Sequence, residues 1–204
     1  MGNQGRSQGG ASKISDVQQG VVTQNEFAKL VMMGSGGRIE LAAPLTDEER
    51  RDFEVHVHGR YGSAMALQVK SAMALTRLSA NALYLRVHFG VRASRLVNDP
   101  AFWYFLAYFN PATIRFEDPT FLVPSAVLHE HATPTKKGDQ WLFTFQASME
   151  PGSHDQWEPY RVSQLALGKK VTQVIDELRK LRASLDASQL LEMPELIWAR
   201  TAQP

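Results

Sequence analysis

The chain has 204 residues, 44% of them hydrophobic, with Lys+Arg 22 against Asp+Glu 21 and a formal net charge of +1. That length suits one domain and that composition supports a buried core, which excludes a wholly disordered chain. There is no cysteine, which excludes disulfides, cysteine–zinc sites and thiol catalysis and fits a reducing cytosol, while near-neutrality confines any nucleic-acid surface to a local patch.

Residues 1–15 are rich in Gly, Ser and Gln and read as a disordered lead-in, without the apolar stretch of a secretory signal. From Asp16 to Met33 the apolar positions Val22, Phe27, Leu30 and Val31 keep helical spacing, and Gly34–Gly37 stop the helix. "RIELAA" reads as a strand broken by Pro44, and "LTDEERR" as a charged connection or a single helical turn. A hairpin follows, Asp52–His58 with Ala64–Ala72, and then the strand "NALYLRVHFG", where Leu83, Leu85 and Val87 alternate with Arg86 and His88. "AFWYFLAYF" at Ala101–Phe109 is a buried strand or a short helix, which periodicity does not separate. It falls far short of the roughly 20 residues a membrane-spanning helix needs, so the protein reads as cytoplasmic with no membrane partner.

"EDPTFLVPSAVLHEHA" reads as a short strand and then a helix opened by Pro124-Ser125, and "QWLFTFQA" as a strand with Trp141, Phe143 and Phe145 on its core side. A last helix over about Val162–Leu181 carries Leu165, Leu167, Val171, Val174, Ile175, Leu178 and Leu181, and the tail from Ala183 holds a short amphipathic segment ended by Pro194. This order predicts an α/β (α+β) class built around one mixed central sheet flanked by helices. The domain covers residues 16–182, with 183–204 as a C-terminal helical tail.

The hairpin carries the chemistry. Side chains alternate faces along a strand, so Asp52, Glu54, His56 and His58 share one side and Phe53, Val55 and Val57 the other. Burying Met65, Leu67 and Val69 with the second set requires opposed residue numbers to sum to an even value. The turn then has three or five residues or a bulge, and Asp52 stands on the face of Gln68 and Lys70, opposite one of them. Direct cross-strand partners are about 5 Å apart at Cβ. A carboxylate, an amide oxygen and an ammonium thus converge on one face, left open by Ala64 and Ala66. Any half-exposed hairpin also has a polar face, so a solvated surface and an active site both remain open on these residues alone.

The order Glu26 in "VVTQNEFAKL", Asp52 in "RRDFEVHV" and Gln68-Val69-Lys70 in "LQVKSA" resembles the PD-(D/E)XK nuclease superfamily, most closely its Mrr-like and DUF4365-like branches. "YFLAYFN…RFEDPTFLVPS" is similar to the second half of DUF4365-like domains, and the likeness spans roughly Gly20–Leu181. It implies a restriction-endonuclease-like fold and metal-dependent hydrolysis of DNA, with a place in defence against foreign DNA. It assigns Mg²⁺ or Mn²⁺ to Asp52, Gln68 and the Val69 carbonyl, with Glu26 holding metal-bound water or a second ion and Lys70 orienting the attacking water or stabilising the phosphoryl oxygens. Two departures stand out: Arg51 replaces the usual proline before Asp52, and Gln68 brings no charge to the acidic place. The same fold without catalysis, binding nucleic acid or a protein partner, is the alternative. A homodimer or a separate target-recognition subunit fits so short a chain.

The remaining motifs are weaker. His56-x-His58 shares a strand face, whereas His129-x-His131 on a helix diverges. Lys136-Lys137, Lys169-Lys170, and Arg179-Lys180 with Arg182 read as solvated faces that are also potential phosphate contacts. "GSGG" lacks the Gly-Lys-Ser/Thr ending of a P-loop and closes a helix instead of opening one. "SHDQWEPYR" has no serine motif to complete a hydrolase triad and reads as a loop.

Overall fold

The structure, a computed structural model, describes residues 14–45, 51–60, 63–78 and 82–183. The lead-in through residue 13, the charged connection over 46–50 and the tail beyond 183 lie outside the described residues. Helix α1 spans Asp16–Gly34, opened by a reciprocal Ser15–Gln18 capping box. It ends where Gly36 and Gly37 take φ of 66° and 76°, a left-handed conformation that glycine adopts without a Cβ clash. There follow strands β1 (Ile39–Ala42), β2 (Phe53–Val57), β3 (Ala64–Ala72), β4 (Thr76–Arg77), β5 (Leu83–Arg92), β6 (Phe102–Asn110) and β7 (Arg115–Pro124). Helix α2 (Ser125–His131), strands β8 (Thr135–Lys137), β9 (Gln140–Ser148) and β10 (Arg161–Val162), and helix α3 (Gln164–Ala183) complete the order.

The fold is mixed α/β, as the sequence predicts, but the described residues form two sheets where the pattern predicts one. A six-stranded sheet runs β1-β2-β3-β6-β7-β10, and a four-stranded antiparallel sheet runs β4-β5-β9-β8. In the larger sheet only β3 and β6 are parallel neighbours. Helices α1 and α3 cover one face, where Phe27, Val31, Val171, Val174 and Ile175 pack on Val55, Leu67, Val69 and Phe105. The smaller sheet and α2, rather than further helices, cover the other face, where Tyr104, Leu106, Phe121 and Val123 meet Leu85, Val87, Phe143, Phe145 and Leu128. The physical reason lies in β5 and β9, which alternate buried and accessible residues and so leave one wet face. Leu165 and Leu181, counted with the apolar stripe of α3, are exposed.

The run "FWYFLAYF" is a strand for a related reason. In β6, Phe102, Tyr104 and Leu106 enter one core and Phe105, Ala107 and Phe109 the other. A central strand covered on both sides reads as continuous hydrophobicity. The hairpin parity also holds: Phe53 pairs with Leu67 and His56 with Ala64, so opposed numbers sum to an even value. Seven residues separate the last paired positions, His56 and Ala64, an odd number as the parity requires but more than the three or five, or the bulge, expected.

Helices α1 and α3 cross at two glycines. A Cβ on Gly168 would stand 2.3 Å from the Ser35 nitrogen, 2.4 Å from the Gly34 carbonyl carbon and 2.7 Å from the Val31 oxygen, all of them backbone. These atoms have no rotamer to escape into, so the helices must separate. Gly168→Ala is therefore expected to lower stability by about 2–3 kcal/mol, the upper range of core overpacking, read as a lower urea midpoint. An unchanged midpoint would show that the crossing is loose.

Candidate functional site

Strand β3 outruns its neighbour. Its pairing with β2 stops at Leu67, while its pairing with β6 continues to Ala72. The Ala66 N–H donates to the Ala101 carbonyl on the β6 side at 2.8 Å, and the Leu67 carbonyl accepts from the Asp52 N–H at 2.9 Å. Main-chain groups of alternate strand residues point to alternate edges. Val69 and Ser71 therefore face the edge that β2 leaves uncovered, and buried peptide groups there require other partners.

Side chains supply them. The Asp52 carboxylate accepts the Val69 N–H at 2.6 Å through Oδ2, and Gln24 of α1 donates to its Oδ1 at 2.8 Å. Gln19, one turn earlier, donates to the Ser71 carbonyl and hydroxyl, each at 3.0 Å. The register carried past Phe53–Leu67 sets Asp52 opposite Gln68. Asp52, Gln68, the Val69 main chain and Lys70 are thus brought to one segment of the sheet. An N–H and C=O of one strand residue share an edge, so the Val69 carbonyl faces the Asp52 side.

Glu26 is not part of that group. Two residues of helix correspond to roughly 200° of rotation, so Glu26 projects from the side of α1 opposite Gln24. There it is buried and ion-paired with Lys29. Gln24 and Gln19 are the α1 residues at the β3 edge, and the sequence pattern singles out neither. The available signal was the pair of amide side chains on a helix about to cover a sheet edge, which is detectable only once the missing β2 pairing is known.

Gln68 is buried and lies beside Tyr104 of β6 in the parallel register. Lys70 follows on the same face, with Nζ 5.9 Å from the centre of the Phe89 ring. Behind Gln68, the Tyr104 hydroxyl meets His129 Nε2 at 3.0 Å, and His129 Nδ1 meets Asn98 Oδ1 at 2.6 Å. The amide oxygen only accepts, so His129 carries its proton on Nδ1 and accepts the Tyr104 O–H at Nε2. His131 is exposed on the other side of α2, so these two histidines diverge as helical spacing predicts. His58 instead bonds Glu40 at 2.7 Å.

Lys70, Ser71 and Val69 open onto a cleft of about 990 Å³ between α1, β5 and the β6–β7 turn, with Gln19, Thr23, His88 and Phe89 among its walls. Among the described residues no three His, Asp or Glu side chains cluster to hold a metal. The oxygen donors that do converge are of three kinds: a carboxylate, a side-chain amide and a peptide carbonyl. A carboxylate oxygen offers two acceptor positions, and on Asp52 the Gln24 amide takes one at Oδ1 and the Val69 N–H one at Oδ2. One anionic ligand with neutral oxygens suits Mg²⁺, which commonly uses one or two carboxylates, waters and substrate phosphate. The residues therefore fit that ion in ligand type.

No protein-family model matches the chain, and no curated protein matches it. Among solved structures it is similar to a bacterial homing endonuclease, I-Ssp6803I, at 15% identity over 85% of this chain and 100% of that one, with a TM-score of 0.47. No described helix is long and apolar enough to cross a membrane.

Burial lowers the His129 pKa from 6.5 to about 4. The unfolded chain then binds the proton first as pH falls. The stability from keeping His129 neutral is complete above pH 6.5 and is lost as pH falls toward 4. Unfolding free energy should drop by a few kcal/mol across that window, on the order of 1.4 kcal/mol for each pH unit. Urea titrations at successive pH values should show the drop, and His129→Gln should flatten it. A profile equally steep in both proteins would assign the acid sensitivity elsewhere.

Proposed function

We propose that the protein is a metal-dependent endonuclease that hydrolyses DNA phosphodiester bonds at the open edge of β3. One observation carries this reading: the Asp52 carboxylate is bonded into the middle of Gln68-Val69-Lys70, beside a cleft that Lys70 lines. Mg²⁺ or Mn²⁺ would be held by Asp52, Gln68 and the Val69 carbonyl. When bound, the ion lowers the pKa of a water and neutralises phosphate charge. The chain's own residues do the rest. Gln24 and the Val69 N–H fix the carboxylate plane, and Lys70 presents a compact cation to the phosphoryl oxygens where charge develops. Gln19 keeps the end of β3 in place through Ser71.

A second reading, a nuclease-like fold that binds nucleic acid or a protein partner without cutting, is favoured by the single carboxylate among these donors and by the engagement of Glu26 with Lys29.

The test is cleavage of supercoiled plasmid in Mg²⁺ or Mn²⁺. Asp52→Ala and Lys70→Ala should each lose about 10²–10³-fold in rate, the usual effect of removing one charge-stabilising group, and a chelator should abolish cutting. Gln24→Ala should cost more activity than Glu26→Gln, since only Gln24 touches Asp52. Gln68→Glu should cut at lower Mg²⁺, because a second anion strengthens the hard-cation site. If all variants cut alike, the hydrolytic reading is lost. Retained DNA binding without any cutting by the unaltered protein selects the second reading.

A further inference from the structure

The smaller sheet presents a face that the proposed hydrolytic site does not use. Side chains of β5 that point away from the core pair across the ladder with those of β9: Arg86 with Gln146, His88 with Thr144, and Arg92 with Gln140. Lys137 of β8 continues the last row. Arg86, His88, Arg92, Lys137 and Gln140 are exposed, and Gln146 and Thr144 are half-buried between them. None of the four strands contains aspartate or glutamate, yet together they hold Arg77, Arg86, Arg92, Lys136 and Lys137. The flanking acids, Asp139 in the β8–β9 turn and Glu150 past β9, lie at the ends. Among the described residues Arg86, Arg92 and Lys137 have no ion-pair partner.

We infer that this face docks in the major groove of double-stranded DNA and reads its sequence. Charge selects a polyanion, since the whole chain is nearly neutral while this sheet carries only cations. The side-chain types select base edges. Arginine pairs with guanine O6 and N7, glutamine with adenine N6 and N7, and threonine with either base type. Shape selects the duplex. Strands β4 and β8 are only 2 and 3 residues long, against 10 in β5 and 9 in β9. The face is thus in effect a long two-stranded ribbon, the form that the major groove, about 12 Å wide, admits. The deep, narrow major groove of double-stranded RNA does not admit it. His88 is common to this face and to the wall of the cleft beside Lys70, so DNA seated on the ribbon runs toward that cleft.

Duplex binding by this face is independent of cleavage, and so is its test. Binding is measured with Asp52→Ala protein in chelator, using a labelled duplex DNA pool of randomised sequence and the same pool after selection on the protein. Arg86→Ala/Arg92→Ala/Lys137→Ala should bind at least tenfold more weakly, with the salt slope reduced by about 0.9 for each phosphate no longer neutralised. Lys169→Ala/Lys170→Ala/Arg179→Ala, an equal charge loss on α3, should bind as before. Gln146→Ala should keep the salt slope and relax the selected sequence preference, and thermal melts should show every variant folded. Glucosylated cytosines, which fill the major groove, should block binding, and the minor-groove ligand netropsin should not. Equal weakening by the α3 variant, displacement by netropsin, equal affinity for double-stranded RNA, selection that enriches no sequence, or no duplex binding at all would each overturn the assignment.

Discussion

The site depends on a mismatch of strand lengths. β3 has nine residues and β2 five, so among the described residues no strand pairs with the edge of β3 beyond Leu67 on that side. An uncovered N–H or C=O inside a packed structure costs about 1–3 kcal/mol. Asp52 takes the Val69 N–H, and Gln19 takes the Ser71 carbonyl. Because α1 supplies Gln19 and also Gln24, which holds Asp52, the polar edge and the apolar packing of Phe27 on Phe53 and Phe105 are set by one helix. Sliding α1 by a turn would break both. The carboxylate is therefore fixed by the same contacts that close the core, and its position needs no ligand to define it.

Much of this was legible as pattern. The alternation in β2 and β3 dictated the register parity and so put Asp52 on the face of Gln68 and Lys70, because one wrong step would have turned every apolar residue outward. Helices α1 and α3 followed from their spacing and stops. What stayed hidden was information that belongs to pairs of elements. Nothing in "VVTQNEFAKL" says which polar residue meets the sheet. A charged glutamate draws attention, yet the rotation of α1 is set by Phe27 and Val31, and that rotation delivers Gln24 to Asp52 and leaves Glu26 with Lys29 of the same helix. Likewise a strand with one wet face reads the same whether it joins the main sheet or a second one. The sequence of β5 and β9 could not reveal that they pair with each other.

The second sheet also explains why β6 is so apolar. Elsewhere in the larger sheet a face could have been left to solvent, but β6 lies in the middle, under α1 on one side and under β5 and β9 on the other. Buried polar groups on such a strand must be satisfied inside the protein. Tyr104 is the example: its hydroxyl reaches His129, which Asn98 holds in a single tautomer. This chain begins beside Gln68, so the packing of the amide depends on a hydrogen-bonded series extending to α2 and the loop before β6. Its neutrality matters as much as its geometry, since a charged His129 would place an uncompensated cation among Phe143 and Tyr104.

The distribution of charge ties the two sheets together. A chain with 22 basic and 21 acidic residues has little long-range field, so any attraction for a polyanion must come from sorting the charges, not from their sum. The smaller sheet achieves that sorting by excluding acids from all four of its strands. The larger sheet instead sets a carboxylate at its open edge, where Asp52 accepts from Gln24 and from the Val69 N–H. Under the proposed function a phosphate backbone would be drawn to the first, while at the second the Asp52 carboxylate opposes the attraction of Lys70. A divalent cation at the β3 edge would outweigh the carboxylate locally, because the ion's charge exceeds that of the one carboxylate beside it. Under the proposed hydrolytic reading, the outer sheet would supply affinity without metal, and the ion would add the charge that the β3 edge needs to accept phosphate.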